Sequence, residues 1–170
     1  ADGRDDDKLD FEGWVLSTLL DEALAAANAR LARMLGGRFS IRRRDGAGDG
    51  REAAGLGLEV FDDHTGAWGS PARLSGGEGF CTSLALALGL ADVVQRRTGG
   101  VRIDALFVDE GFGTLDDETL DTAMGVLGAL DEGSRLIGVI SHVSELRNRI
   151  AAKVEVTRDM QGSRARIVLG

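Results

Sequence analysis

The chain has 170 residues, 43% hydrophobic and 28% charged, the composition of one ordinary soluble domain large enough for a packed core. Its single cysteine, Cys81, excludes an internal disulfide, and a net charge of -8 argues against a broad nucleic-acid surface, which draws on lysine and arginine. No uninterrupted apolar stretch reads as long enough for a bilayer, and the acidic start does not resemble a signal peptide, so a cytoplasmic protein with no membrane partner is expected.

Residues 1–10 read as a charged tail or linker. From Phe11 to Leu35, Leu16, Leu20, Leu24, Ala27, Leu31 and Leu35 recur at helical spacing, and Gly36-Gly37 supplies a stop. Unbroken, this helix would be about 37 Å long. It reads either as an amphipathic core helix or as the root of a coiled coil. Arg38 to Arg44 alternates like a strand, Asp45 to Gly55 is a polar loop, and Leu56 to Phe61 reads as a second strand paired with the first. Arg42, Arg43 and Arg44 form the one dense basic run, either a solvated strand end or a contact for a DNA backbone. Phe80 to Val94 predicts a buried helix, Ile103 to Val108 a buried strand, Asp117 to Leu130 a helix and Leu136 to Ile140 another buried strand. Ser144 to Ile150 suggests a short helix. Lys153 to Arg158 and Arg164 to Leu169 suggest a closing hairpin around Gln161-Gly162. The order implies an α/β fold, a sheet with covering helices.

Ser75-Gly76-Gly77-Glu78 precedes the apolar run from Phe80 to Val94. Ser followed three residues later by Glu is a capping box. The two glycines weaken a first turn, but they leave its N–H groups bare, and a bare helix tip attracts phosphate. Cap and anion site are both open readings. Asp109-Glu110 ends a strand where ligands bind in open α/β sheets. Asp109 suits Mg²⁺, which takes one or two carboxylates plus phosphate oxygens and water, and Glu110 suits the activation of water. An ordinary polar strand end is the alternative. Asp116 reads as a helix cap, as a contact across a dimer, or as both. His142 ends the next strand, as a structural histidine or a γ-phosphate partner.

Taken in order, LSGGEGF (74–80), SLALALGLAD (83–92), IDALFVDEGFGTLDDETLD (103–121) and IGVISHV (137–143) resemble the signature motif, Walker B, D-loop and H-loop of an ABC-type P-loop ATPase head. The closer resemblance is to the SbcC family, SMC-like ATPase subunits of the bacterial double-strand DNA nuclease SbcCD. ANARLARMLGGRFSIRRR (27–44) is similar to the segment where their returning coiled coil enters the head. The resemblance covers residues 11–170 as a C-terminal head lobe: root helix 11–37, strand hairpin 38–73, signature loop and helix 74–98, and a core 99–170. Gly79 departs from the usual Ser or Thr, and Thr114 from a frequent serine. GxxxxGK[ST] does not occur, and neither do the zinc-hook cysteines. The chain is therefore expected to be an excised lobe that does not hydrolyse ATP alone.

The resemblance implies ATP and Mg²⁺ as cofactors. Asp109 would serve the metal, Glu110 and His142 the catalysis, and Ser75, Gly76, Gly77 and Glu78 the nucleotide, while Asp116 would couple two sites. The implied partners are the chain's own N-terminal Walker A lobe, a second SbcC-like head in a homodimer, an SbcD-type nuclease subunit and, through the complex, double-strand DNA. Another SMC-like chromosome or recombination ATPase, or a non-catalytic interaction domain on the same fold, is the alternative. An ABC transporter ATPase fits less well, given the long N-terminal helix and the absence of a nearby Walker A.

Overall fold

A computed structural model describes residues 11–44, 57–97, 99, 103–131, 136–160 and 162–169. The predicted tail and the Asp45 to Gly55 loop lie outside the described residues.

Helix α1 (Phe11–Met34) ends just before the two glycines, as expected. Its apolar stripe is buried from Ala23 onward, through Leu24, Ala27, Leu31 and Met34, whereas Trp14 and Leu16 stay exposed. Strands β1 (Phe39–Arg43), β2 (Leu58–Asp62) and β3 (Ala67–Gly69) form an antiparallel sheet. The β1–β2 pairing was expected from alternation. β3 was not, because three residues, preceded by Gly66 and ending in Gly69, carry no periodic signal.

Helix α2 (Gly76–Arg97) crosses α1. By length and composition it suits a bilayer, contrary to the expectation that no stretch would. Its Cys81, Leu84, Ala85 and Leu88 are instead buried in one cluster with Leu24, Ala27 and Leu31 of α1. Each such Leu removed from water contributes about 2 kcal/mol. The crossing is close. A Cβ on Gly89 would lie 2.3 Å from the Ala23 carbonyl oxygen and 3.0 Å from the Ala27 nitrogen. Leu90 and Val94 are exposed, so the expected buried helix is buried on one side only.

Strand β4 (Ala105–Asp109), helix α3 (Asp117–Asp131) and strand β5 (Leu136–Ile140) form a parallel crossover, with Asp109 paired to Ile140. β5 has the predicted span and β4 starts two residues later and ends one residue later than the predicted Ile103 to Val108, but they are not buried as expected. Leu106, Val108, Ile137 and Val139 pack on the core, while the alternate residues Phe107 (65% exposed), Leu136 (62%) and Ile140 (53%) face outward. Sheet period two explains the split: the apolar run has two apolar faces, and the core covers one. Helix α4 (Ser144–Arg149) and the hairpin β6 (Ala152–Asp159) with β7 (Gly162–Leu169) close the chain. Register pairs Val154 with Ile167 and Ala152 with Leu169, and Val154, Val156, Ile167 and Leu169 are exposed. The one expected sheet is thus three small ones among the described residues.

Candidate functional site

The acidic strand end is built by backbone geometry. Glu110 sits at φ 62°, a left-handed conformation rare for a residue with a side chain and costing about 1–3 kcal/mol. Its N–H donates to the Ile140 carbonyl at 2.8 Å, extending the β4–β5 ladder past Asp109. Gly111 follows at φ 98°, and a Cβ there would overlap the Phe80 ring. Phe80 meets buried Phe112 edge-on at 4.8 Å, which anchors the turn after the acids to the start of α2.

This turn aims the Glu110 carboxylate across to the end of β5. His142 Nδ1 lies 2.9 Å from Glu110 Oε2, and both side chains reach solvent. His142 Nε2 points toward Gly113, where an added Cβ would be 3.9 Å away. The two strand ends predicted to be neighbours therefore bring Glu110 and His142 into contact. Asp109 is exposed at the last ladder position of β4.

The glycine-bearing tip lies against the same turn. Glu78 N–H donates to Ser75 Oγ at 3.3 Å, and Ser75 N–H donates to Glu78 Oε2 at 2.8 Å, so the capping box is formed. Gly76 is exposed, and first-turn amides have no acceptor within their own helix. A Cβ on Gly77 would stand 2.9 Å from the Thr114 carbonyl oxygen. The absence of a side chain here serves contact with the turn after the acidic pair as well as exposure of the amides. That internal reason was not legible in the sequence.

Asp116 caps α3, accepting from Thr119 N–H at 2.8 Å. That backbone hydrogen bond, foremost, holds its carboxyl below the ordinary 3.8. A cleft of about 460 Å³ opens beside the tip, lined by Arg33, Arg38, Ser75, Glu78, Asp116 and Thr119 among others. Cys81, buried, has its thiol pushed up to about 11 by burial, and so behaves as a packing residue.

The basic run is internally balanced. Arg42 and Arg44 pair with Glu59, Arg43 pairs with Asp21, and Arg42 stacks over Trp68 at 3.8 Å. Sequence reasoning missed Arg38, whose guanidinium bridges Asp62 and Glu78. It also missed Asn28, which binds both backbone groups of Ile41. Neither has a local sequence signal, since the partners lie 13 to 40 positions away.

Among the described residues no group of three or more His, Cys, Asp or Glu is placed to hold a metal. Asp109 beside Glu110 does fit Mg²⁺ of the kind bound through one or two carboxylates plus phosphate and water, rather than an all-protein cage.

The fold is that of SMC ATPase head domains. A chain from a structural study of ATP-driven dimerisation and DNA-stimulated activation of SMC ATPases superposes with a TM-score of 0.68 at 14% identity, over 91% of this chain and 88% of that one. The Smc head domain of Pyrococcus furiosus, bound to the C-terminal domain of ScpA, gives 0.63 at 17% identity, over 87% of this chain and 35% of that one. Within that class, the SbcC/RAD50-like Walker B family model matches residues 47–129. The SbcC component of the nuclease SbcCD from Vibrio cholerae is 45% identical over 99% of this chain and 17% of its own length. Its counterpart from Treponema pallidum is 48% identical over 95% and 15%, respectively. The chain belongs to the SbcC/RAD50-like family, and it spans about one-sixth of the length of these relatives.

Proposed function

We propose that this chain is the C-terminal half of an ATPase head. With an N-terminal lobe carrying the phosphate loop, it binds and hydrolyses ATP when two heads engage, and so controls double-strand DNA processing by a partner nuclease. The observation that carries the reading is the Glu110–His142 contact at the end of a parallel strand pair, beside an exposed glycine-bearing helix tip.

The chemistry follows from what each group can do. Glu110 Oε2 accepts a hydrogen bond, so it can orient an attacking water and take its proton. With His142 Nδ1 bound to Glu110, Nε2 can meet a phosphate oxygen when the ring carries both protons, so that Nε2–H is a donor. Mg²⁺ bound at Asp109 with phosphate oxygens would supply charge neutralisation. Ser75, Gly76 and Gly77 of one head would meet the nucleotide held by the other, through amides and helix dipole. Glu78 supports that tip as its cap, and Asp116, which caps α3, would couple the two sites of an engaged pair.

The open apolar faces support a missing lobe. Parallel sheets occur almost wholly with both faces covered, yet Phe107, Leu136 and Ile140 face outward. The exposed β6–β7 face has the same character, and we assign both to the N-terminal lobe. The exposed start of α1, with Trp14 and Leu16, fits a root that continues into a coiled coil. Curated relatives named as parts of a nuclease favour a nuclease partner over a chromosome-organising one.

The test is Glu110→Gln in the full-length protein. Turnover is expected to fall by about 10²–10⁴-fold, with the ATP-bound dimer accumulating. Unchanged turnover would remove Glu110 from the role of base.

A further inference from the structure

Two sets of hydrogen bonds, linked through the backbone from Arg38 to Ile41, join α1 to the helix tip at Ser75. Asn28 on α1 donates from Nδ2 to the Ile41 carbonyl and accepts from the Ile41 N–H, both at 2.8 Å, so α1 grips β1 as a neighbouring strand would. Arg38 precedes β1 and stacks over Phe39 at 4.4 Å. Its Nε and Nη2 donate to the two carboxylate oxygens of Asp62 on β2, each at 2.9 Å. Its remaining terminal nitrogen, Nη1, donates to Glu78 Oε1 at 3.1 Å. The other Glu78 oxygen accepts from Ser75 N–H.

We propose that Arg38 is a positioning residue for the Ser75-Gly76-Gly77 tip, transmitting the placement of α1 and the β1–β2 sheet to Ser75 through the Glu78 carboxylate. The inference rests on the preceding reading, in which that tip meets a nucleotide across a head pair.

An exposed arginine–carboxylate pair is ordinarily worth little. This one differs in what its acid does. Glu78 is the reciprocal half of the capping box, so its carboxylate holds the Ser75 N–H while its own backbone N–H donates to the Ser75 hydroxyl oxygen. The bidentate grip of Asp62 removes rotational freedom from the guanidinium before it reaches Glu78. A lysine could supply charge here, but not both geometries. Arg38 therefore fixes direction more than it adds stability, and direction decides whether amides on one head meet phosphate on another.

The experiment uses the full-length protein carrying Glu110→Gln, with ATP binding by the monomer, ATP-dependent dimerisation and thermal midpoint measured together. Arg38→Met is expected to weaken dimerisation by about tenfold or more while leaving monomer ATP binding unchanged. Arg38→Lys should recover only part of the loss. Asp62→Asn, which leaves the Arg38–Glu78 bond in place, should lower the midpoint with a smaller effect on dimerisation. Glu78→Gln combined with Arg38→Met should be no worse than the more damaging single change, because both break the same link. Dimerisation as tight as the parent's in Arg38→Met overturns the inference alone. So does a loss that tracks the thermal midpoint across all variants, or effects that multiply in the double variant. A parent that never dimerises with ATP overturns this inference and the head-pair reading together.

Discussion

Replacing Gly89 by alanine should destabilise the chain, although the same change inside an exposed helix normally stabilises it. Alanine gains about 1 kcal/mol of helix propensity over glycine. Against this, the new Cβ would sit 2.3 Å from the Ala23 carbonyl oxygen and 3.0 Å from the Ala27 nitrogen. A carbon–oxygen contact needs about 3.3 Å or more. The obstructing atoms are backbone, so α1 and α2 must separate by about 1 Å. Overpacking of this kind costs about 1–3 kcal/mol and here falls at the upper end, leaving a net loss of about 2 kcal/mol. With a urea slope of about 2 kcal/mol/M, the midpoint should drop by about 1 M. Gly125→Ala and Gly128→Ala on α3 are internal controls, since a Cβ at either meets nothing within 4 Å. Each should add about 0.4–1 kcal/mol and so raise the midpoint by about 0.2–0.5 M. Urea unfolding followed by circular dichroism reads all three. A Gly89→Ala midpoint equal to or above the parent's would refute the close crossing of the two helices.

Ser75→Arg in the full-length protein should abolish ATP-dependent dimerisation, because a bulky cation replaces the cap at the exposed tip; sedimentation in ATP measures it, and a surviving dimer counts against that interface. The chain alone should show no ATP turnover above background in a phosphate-release assay, since it lacks a phosphate loop; robust turnover would contradict the half-site reading. The side-chain hydrogen bond from Arg38, foremost, holds the Asp62 carboxyl below its ordinary 3.8. Its contribution to stability is present above 3.8 and is lost as pH falls through the lower folded value. Asp62→Asn should therefore flatten the acid limb of the stability–pH curve there, and an unchanged limb would show that the pairing carries no linkage.

The acidic strand, the histidine strand and the capped tip were legible because each joins an apolar run to a polar terminus. Such junctions survive in a single sequence. Adjacency of Asp109 to the histidine strand followed from strand–helix–strand order, and parallel pairing to Ile140 bears it out. Burial was less legible. Leu106 and Phe107 are equally apolar in sequence, yet one packs on the core and the other faces outward. Hydrophobicity reports that a surface needs covering, not which piece of polypeptide covers it. Gly77 was read through its bare amide, whereas its nearest constraint is the Thr114 carbonyl, 37 positions on. Arg38 looked like the first residue of an alternating strand, and nothing nearby named Asp62 or Glu78 as its anchors.

The fit between Gly77 and Thr114 leaves no play in the linkage. With less than a methyl group's clearance, the loop that trails the carboxylates and the prow of α2 must travel together when either is pushed. In an engaged pair of heads, each protomer's own reaction centre and the surface it lends to its neighbour would then be rigidly geared, and loss of phosphate on one side would be felt mechanically on the other.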